Sequence, residues 1–256
     1  MPVPLSISDV GQGPPLVILP GLFGSKRNWT SAARELAATR RVITVDLRNH
    51  GESPWDDVHD YPSMASDVAA LLESLSFGPA AVLGHSMGGK VAMTLALNRS
   101  DLVDRLIVVD IAPARSTANT RAVLQAMQAV PLSSITTRSE AKAAMAEAVP
   151  SAGVRDFLAL NLVNGPDGLA WGINLAAIDR NFENVLGFPA FPAEASFTNP
   201  TLFLAGGRSR YVTPDHHADI RRLFPRAQIE TIPSAGHWVH ADAPAEFLER
   251  VSRFLA

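Results

Sequence analysis

The chain has 256 residues, 47% of them apolar, and a formal net charge of −3. That length fits one large α/β domain, or one domain carrying an insertion, and the mild acidity supplies no basic field for nucleic acid. Cysteine is absent, which excludes disulfides and thiolate zinc sites and suits a reducing compartment.

The N-terminus, Met1-Pro2-Val3-Pro4-Leu5-Ser6, has neither a basic n-region nor a long apolar stretch. No apolar run approaches the roughly 18 residues of a membrane span, so a soluble, cytoplasmic protein is expected. Residues 3–7 alternate weakly, as an edge strand would, and residues 9–15 read as a Gly/Pro turn. Leu16-Val17-Ile18-Leu19 is a buried strand by its β-branched apolar run, and it empties into the loop Pro20-Gly21-Leu22-Phe23-Gly24-Ser25. A helix is predicted over residues 28–38, with Trp29, Ala32, Ala33 and Leu36 on one face.

Residues 41–46 form the next strand, ending on Asp46 and the loop Leu47-Arg48-Asn49-His50-Gly51. Ser63 is the predicted N-cap of a helix that continues through Leu75. Residues 80–83 are the next strand, and residues 105–110 another that ends on a carboxylate, Asp110. Strands alternating with helices predict a mostly parallel sheet flanked by helices on both faces.

That alternation stops after Asp110. Residues 112–198 contain no convincing strand; they read as Ala-rich helices over 118–130 and 139–149, a third helix over 154–163, a turn at Gly165-Pro166-Asp167-Gly168, a short helical segment after Trp171 and a stiff loop, Phe188-Pro189-Ala190-Phe191-Pro192. The expected organisation is a core of residues 1–111 and 199–256 with a helical lid, residues 112–198, inserted in it. The core resumes with strands at 200–206 and 228–232 and helices at 214–224 and 243–255.

The chemistry centres on Gly84-His85-Ser86-Met87-Gly88, a strand, a sharp turn with serine at its apex, and then a helix. This is the setting of a nucleophile elbow: the turn strains Ser86 and lifts its hydroxyl, and the Met87 N–H lies at a helix N-terminus, where a developing oxyanion is favoured. A serine hydroxyl needs a base, and the base needs an orienting acceptor. His237, in the loop after the last strand, is the best placed of the seven histidines. His240 is its competitor, His85 should turn away from the apex, and His59, His216 and His217 lie in polar stretches where solvent is expected.

Asp46 and Asp110 stand at strand ends and Asp215 starts a later helix. Asp110 follows the strand next after the elbow, which favours it as the acid, whereas Asp46 is expected to tie down the Arg48 loop. Leu22 N–H, with Phe23 N–H as the alternative, is the expected second oxyanion donor. Of Leu22, Phe23, Trp29, Met87, Trp171, Phe188, Phe191 and Trp238, two or three are expected to face substrate, Phe23 and Trp238 first. Lys90 lacks the spacing of a phosphate loop, and Asp56, Asp57, His59 and Asp60 read as a solvated acidic loop, so neither metal nor cofactor is expected.

Five segments together resemble the α/β-hydrolase superfamily, and more narrowly its YbfF-type esterases and their mitochondrial relatives: Gly21-Leu22-Phe23-Gly24-Ser25, Asp46-Leu47-Arg48-Asn49-His50-Gly51, Gly84-His85-Ser86-Met87-Gly88-Gly89-Lys90, Asp110-Ile111-Ala112-Pro113 and Gly236-His237-Trp238-Val239-His240. The resemblance spans nearly the whole chain. It implies hydrolysis of carboxylic esters or acyl thioesters of small to medium acyl groups, with Ser86 as nucleophile, His237 as base and a helical lid over the pocket. Two positions depart from the superfamily. Arg210 stands where many members carry the acid, which favours Asp110 and leaves Asp215 as fallback, and Pro20 replaces the usual His before the oxyanion glycine. Other reactions of the same triad remain open (C–C bond hydrolysis, enol-lactone opening, perhydrolysis), as do ligand binding without turnover and an interaction role. Ester turnover lost in Ser86→Ala excludes the non-enzymatic readings.

Overall fold

The computed structural model describes residues 1–116, 120–166 and 168–256. In chain order they form β1 (Ile7–Val10), β2 (Pro15–Leu19), α1 (Thr30–Leu36), β3 (Arg41–Val45), α2 (Tyr61–Leu75), β4 (Ala80–His85), α3 (Met87–Asn98) and β5 (Val103–Val109). Then follow α4 (Thr120–Gln128), α5 (Arg138–Ala144), α6 (Ala152–Ala159), β6 (Leu162–Gly165), β7 (Gly168–Trp171), α7 (Leu175–Arg180) and α8 (Phe182–Leu186). The chain closes with β8 (Thr201–Gly206), α9 (His217–Leu223), β9 (Ala227–Ile232), α10 (Val239–Asp242) and α11 (Pro244–Leu255).

Among the described residues one sheet takes seven strands in the order β1-β3-β2-β4-β5-β8-β9. All its pairings are parallel except β1 with β3. Side chains alternate between its faces. Val17, Leu19, Val82 and Val108 pack with residues of α2, α3 and α9 in one core. Leu16, Ile18, Leu83 and Ile107 pack with Ala33 and Leu36 of α1 and Phe247 and Val251 of α11 in the other. Both faces are covered, which explains why the inner strands read as continuous apolar runs. The α/β architecture read from the sequence is therefore the observed one.

Local readings need correction. The edge strand runs over Ile7–Val10, not residues 3–7, because its register is set by pairing with β3, Ile7 opposite Val45. The cap of α2 is Asp60, not Ser63: its carboxylate accepts the Ser63 N–H at 2.8 Å, and Pro62 sits inside the first turn. Residues 112–198 do contain strands, a two-stranded hairpin of β6 and β7 pairing Leu162 with Trp171. The helix expected to reach residue 163 stops at Ala159. The predicted helix over 118–130 starts on residues outside those described and is seen as α4 from Thr120; Asp167 of the predicted turn also lies outside them.

The segment between β5 and β8 has its own apolar core, in which Leu124, Met127, Met145, Leu158 and Ile178 surround Phe23 from the loop after β2. No helix among the described residues is long and apolar enough to cross a membrane.

Candidate active site

The elbow depends on close backbone approach. A Cβ on Gly84 would lie 2.1 Å from the Gly88 carbonyl oxygen, and one on Gly88 would lie 2.3 Å from that of Leu19. Only glycine lets β4, β2 and the start of α3 meet this tightly. Ser86 between them takes φ 52° and ψ −120°, a conformation that costs a non-glycine residue on the order of 1–3 kcal/mol. Its N–H is held by the Val109 carbonyl at 3.0 Å.

The structure brings Ser86, His237 and Asp110 into one hydrogen-bonded line. Ser86 Oγ lies 3.0 Å from His237 Nε2, and His237 Nδ1 donates to Asp110 Oδ2 at 2.7 Å. Asp110 is fully buried and also has a positive φ, 49°. Its Oδ1 accepts the Gly206 N–H at 2.9 Å, and its Oδ2 also accepts from the Ser209 hydroxyl. The loop after β8, which lacks a carboxylate, thus supplies donors to a carboxylate one strand away, while Arg210 itself is exposed. Asp215, the fallback acid, is exposed ahead of α9. Tyr211 stacks on the His237 ring at 4.1 Å; burial and the nearby Asp110 push its phenol up to about 12.

The other histidines have different surroundings. His85 turns beneath the loop, as expected, and its Nε2–H donates to the His237 carbonyl at 2.8 Å, so the residue before the serine anchors the loop of the base. Burial, then the neighbouring His237 and His240, hold its pKa well below the usual value. His240 stacks on Trp29 at 4.0 Å, its Nδ1 enclosed without a hydrogen-bond partner among the described residues, and burial pulls it to about 4. His216 is half-buried and accepts the Thr213 N–H at Nδ1. His59 is not solvated: it is fully buried, 3.3 Å from the Asn49 amide, its Nε2 without a hydrogen-bond partner among the described residues. The neighbouring carboxylates stay near the surface, Asp57 exposed and pairing with Arg180 and Asp60 serving as the α2 cap, while the imidazole alone turns inward. Asp46 does fasten its loop, accepting from the Glu52 N–H at 3.0 Å and the Lys26 N–H at 2.7 Å, but Arg48 is held by Asp67 at 2.6 Å.

Beside Ser86 opens a cavity of about 850 Å³. Leu22, Phe23, Trp29 and Trp238 line it, four of the eight apolar candidates where two or three were expected; Met87, Trp171, Phe188 and Phe191 do not. Val123, Val154, Phe157 and Leu158, from the segment between β5 and β8, line it as well. Phe157 packs on Trp238 with ring centroids 5.7 Å apart. Gly21 passes close over the elbow, where a Cβ on it would lie 3.2 Å from Ser86 Cβ, so the Leu22 N–H lies one peptide from the serine. Met87 opens α3, and its N–H has no carbonyl four residues back in the helix. Phe23 N–H, the alternative donor, is committed elsewhere, to His50 Nε2 at 3.2 Å.

Residues 14–244 match the sequence profile described as the alpha/beta hydrolase fold. The chain belongs to the α/β-hydrolase family. It is 44% identical to the sn-1-specific diacylglycerol lipase ABHD11 of Mus musculus, over 100% of this chain and 86% of that protein. It is 37% identical to esterase YbfF of Escherichia coli (strain K12), over 94% of this chain and 92% of that protein. A solved marine microorganism esterase superposes with a TM-score of 0.95 at 35% identity, covering 98% of this chain and 99% of that one. Within the α/β-hydrolase family it is thus of the YbfF type.

Three residues at the site were not found from sequence: Ser209, Tyr211 and His50. Ser209 had a readable signal, a hydroxyl in the loop where the usual acid is missing. His50 lay in a segment that carried the family resemblance, though not its contact, and Tyr211 stacks on a partner remote in sequence.

Proposed function

We propose that this chain hydrolyses carboxylic esters with Ser86 as nucleophile, His237 as base and Asp110 as the acid that orients it. The reaction class follows from the family and its relatives, which are named as esterases and lipases across nearly the whole chain. The observation that supports the roles is the unbroken line from Asp110 Oδ2 through His237 to Ser86 Oγ, at 2.7 and 3.0 Å, beside the cavity.

In the first step Ser86 Oγ attacks the ester carbonyl and its proton passes to His237 Nε2. Asp110 keeps the proton on Nδ1 and stabilises the imidazolium. Leu22 and Met87 N–H groups bind the oxyanion, each worth on the order of 3 kcal/mol to the barrier. The intermediate collapses, the Ser86 acyl ester stays, and the alcohol leaves with the proton from Nε2. Water then attacks the acyl group as His237 takes its proton; collapse frees the acid and returns the proton to Ser86. Thioesters pass through the same steps with a thiol leaving.

Phe23 and Trp238 contact the acyl group in this reading, and the apolar cavity suits small to medium acyl chains. Residues 112–198 act as a lid on a core of residues 1–111 and 199–256. The proposal includes a cytoplasmic location, no nucleic-acid partner and no cofactor.

Initial rates on p-nitrophenyl acetate, butyrate and octanoate test this, together with covalent labelling by a fluorophosphonate. Turnover and labelling are expected in the wild type and lost in Ser86→Ala. A wild type that neither turns over any of the three nor takes the label would end the reading.

A further inference from the structure

Phe23 occupies a left-handed backbone conformation, φ 61°, without being glycine. Such a residue persists only where its surroundings fix it. Both of its main-chain groups are taken by side chains from other parts of the molecule. Its N–H donates to His50 Nε2 at 3.2 Å, and its carbonyl accepts from Asn161 Nδ2 at 2.8 Å. Both partners are buried. The phenyl ring is buried too, inside the core of the inserted segment.

His50 is prepared for this contact. Its Nδ1–H donates to the Arg48 carbonyl at 3.0 Å, which leaves Nε2 bare as an acceptor. Burial keeps the ring neutral, pulling its pKa to about 4. The stretch that carries it is stitched to the inserted segment. His50 bridges to Ile173, the Asn174 N–H donates to the Asn49 carbonyl at 2.9 Å, and the Asn174 side chain reaches Asn49 Oδ1 at 3.0 Å. Asn161 lies between α6 and β6, and its carbonyl accepts the Gly172 N–H at 2.7 Å.

The consequence falls on Leu22. Gly24 N–H bonds to the Gly21 carbonyl at 2.9 Å, closing the turn around Leu22 and Phe23. With that turn closed and both main-chain groups of Phe23 fixed, the peptide carrying the Leu22 N–H can no longer rotate freely. We propose that His50 is a positioning residue for the oxyanion loop, acting through the Phe23 N–H, and that Asn161 grips the same residue from the inserted segment, so that seating of that segment and placement of the Leu22 donor are a single adjustment. This rests on the reading of Leu22 N–H as oxyanion donor. His50 touches no substrate; it decides where the donor stands.

The test uses His50→Asn, which can still reach the Arg48 carbonyl but is too short for Phe23, and His50→Gln, whose amide oxygen can replace Nε2. Fluorophosphonate titration counts intact sites, and kcat and KM follow on p-nitrophenyl butyrate. His50→Asn is expected to lose roughly tenfold or more in kcat with KM within about twofold, a part of the 100- to 1,000-fold loss for removing an oxyanion donor. Affinity for an alkyl boronic acid, a mimic of the tetrahedral state, falls in parallel, and His50→Gln recovers most of both. Asn161→Ala lowers kcat less, and its effect combined with His50→Asn is smaller than the product of the two, because both act on Phe23. A folded His50→Asn with wild-type kcat, equal damage in the Gln and Asn variants, or fully multiplicative effects would overturn the proposal. If neither His50 variant folds, Asn161→Ala decides alone: unchanged kcat and boronate affinity refute it. Failure of the ester-hydrolase reading appears separately, as a wild type with neither turnover nor label, or as turnover that survives Ser86→Ala.

Discussion

The β4–α3–β5 unit and the segment between β5 and β8 are held in place by different means. The first is fixed by backbone: β4 lies between β2 and β5 in parallel register, Gly84 and Gly88 allow contact that no side chain would permit, and Ser86 N–H bonds to Val109. The second meets the sheet side through apolar packing of Val185 and Phe197, through the main-chain bond from Asn174 to Asn49, and through polar side chains. Lys90 Nζ donates to the carbonyls of Leu186 and Gly187 at 2.8 and 2.6 Å, the Tyr61 hydroxyl to that of Val185 at 2.6 Å, and Asn161 to that of Phe23. Ser86 and Asp110 sit on or directly beside the first, with His237 reaching them from the loop after β9; Val123, Val154, Phe157 and Leu158 of the cavity lining sit on the second. Side-chain fastenings can be removed singly, whereas a sheet register shifts only as a whole.

The largest effect should come from breaking the line at its sheet-borne end. Asp110→Asn keeps an acceptor for the Gly206 N–H but no longer holds the proton on His237 Nδ1. A loss of about 10⁴-fold in kcat is expected with little change in Tm. Asp215→Asn should leave kcat unchanged. Rates of the two variants side by side decide which carboxylate serves His237.

What could be read from sequence follows the same division. Strands β2 to β5 and β8 announce themselves because burial on both faces demands continuous apolar runs. The elbow is legible because the close approach of strand and helix requires glycine on both sides of Ser86, and Asp110 because it ends the strand that pairs with the elbow strand. The hairpin of β6 and β7 was not legible: each strand has four residues, and Asn164, Gly165 and Gly168 break any alternation. His59 was misjudged for a related reason. Its neighbours Asp56, Asp57 and Asp60 are polar, but Arg48, Arg180 and the α2 N-terminus engage them, and the imidazole is enclosed behind. Phe23 and Asn161 are 138 positions apart, a distance at which local patterns carry no signal.

On the segment side, Lys90→Met should weaken the fastening. The ammonium is buried, near Arg115, and its pKa is pulled down to about 7, yet it serves three oxygen acceptors, including Ser116 Oγ at 3.1 Å. Removing it leaves buried carbonyls short of a donor, and a loss of roughly 3 kcal/mol is expected in urea unfolding at pH 7. The deficit should grow with pH. The unfolded lysine keeps its proton to about 10.5 while the folded one loses it from about 7. In that window the unfolded chain binds more protons, so wild-type stability rises with pH and the variant gains nothing.

The acid side separates the two regions again, because His240 belongs to the sheet-side core around Trp29 and His85. Its pKa is lowered from 6.5 to about 4, by burial first and His237 second. Between those values the unfolded chain binds the extra proton, so stability present above pH 6.5 is lost as the pH falls towards 4. His240→Phe preserves the stacking and has no proton to bind. From pH 7 to pH 5 it should lose about 1–2 kcal/mol less than the wild type in urea unfolding. An identical pH slope in both proteins would place the acid sensitivity in another buried histidine, His50, His59 or His85.

The smallest effect tests how far the loop after β8 has taken over the support of an acid it does not carry. Ser209→Ala removes one of three donors to Asp110 and leaves Gly206 N–H and His237 in place. A single hydrogen bond to a buried carboxylate that keeps its other partners contributes about 1 kcal/mol, so kcat should fall roughly fivefold. Tm should scarcely move, because Ser209 is half-buried and anchors otherwise only the Tyr211 N–H.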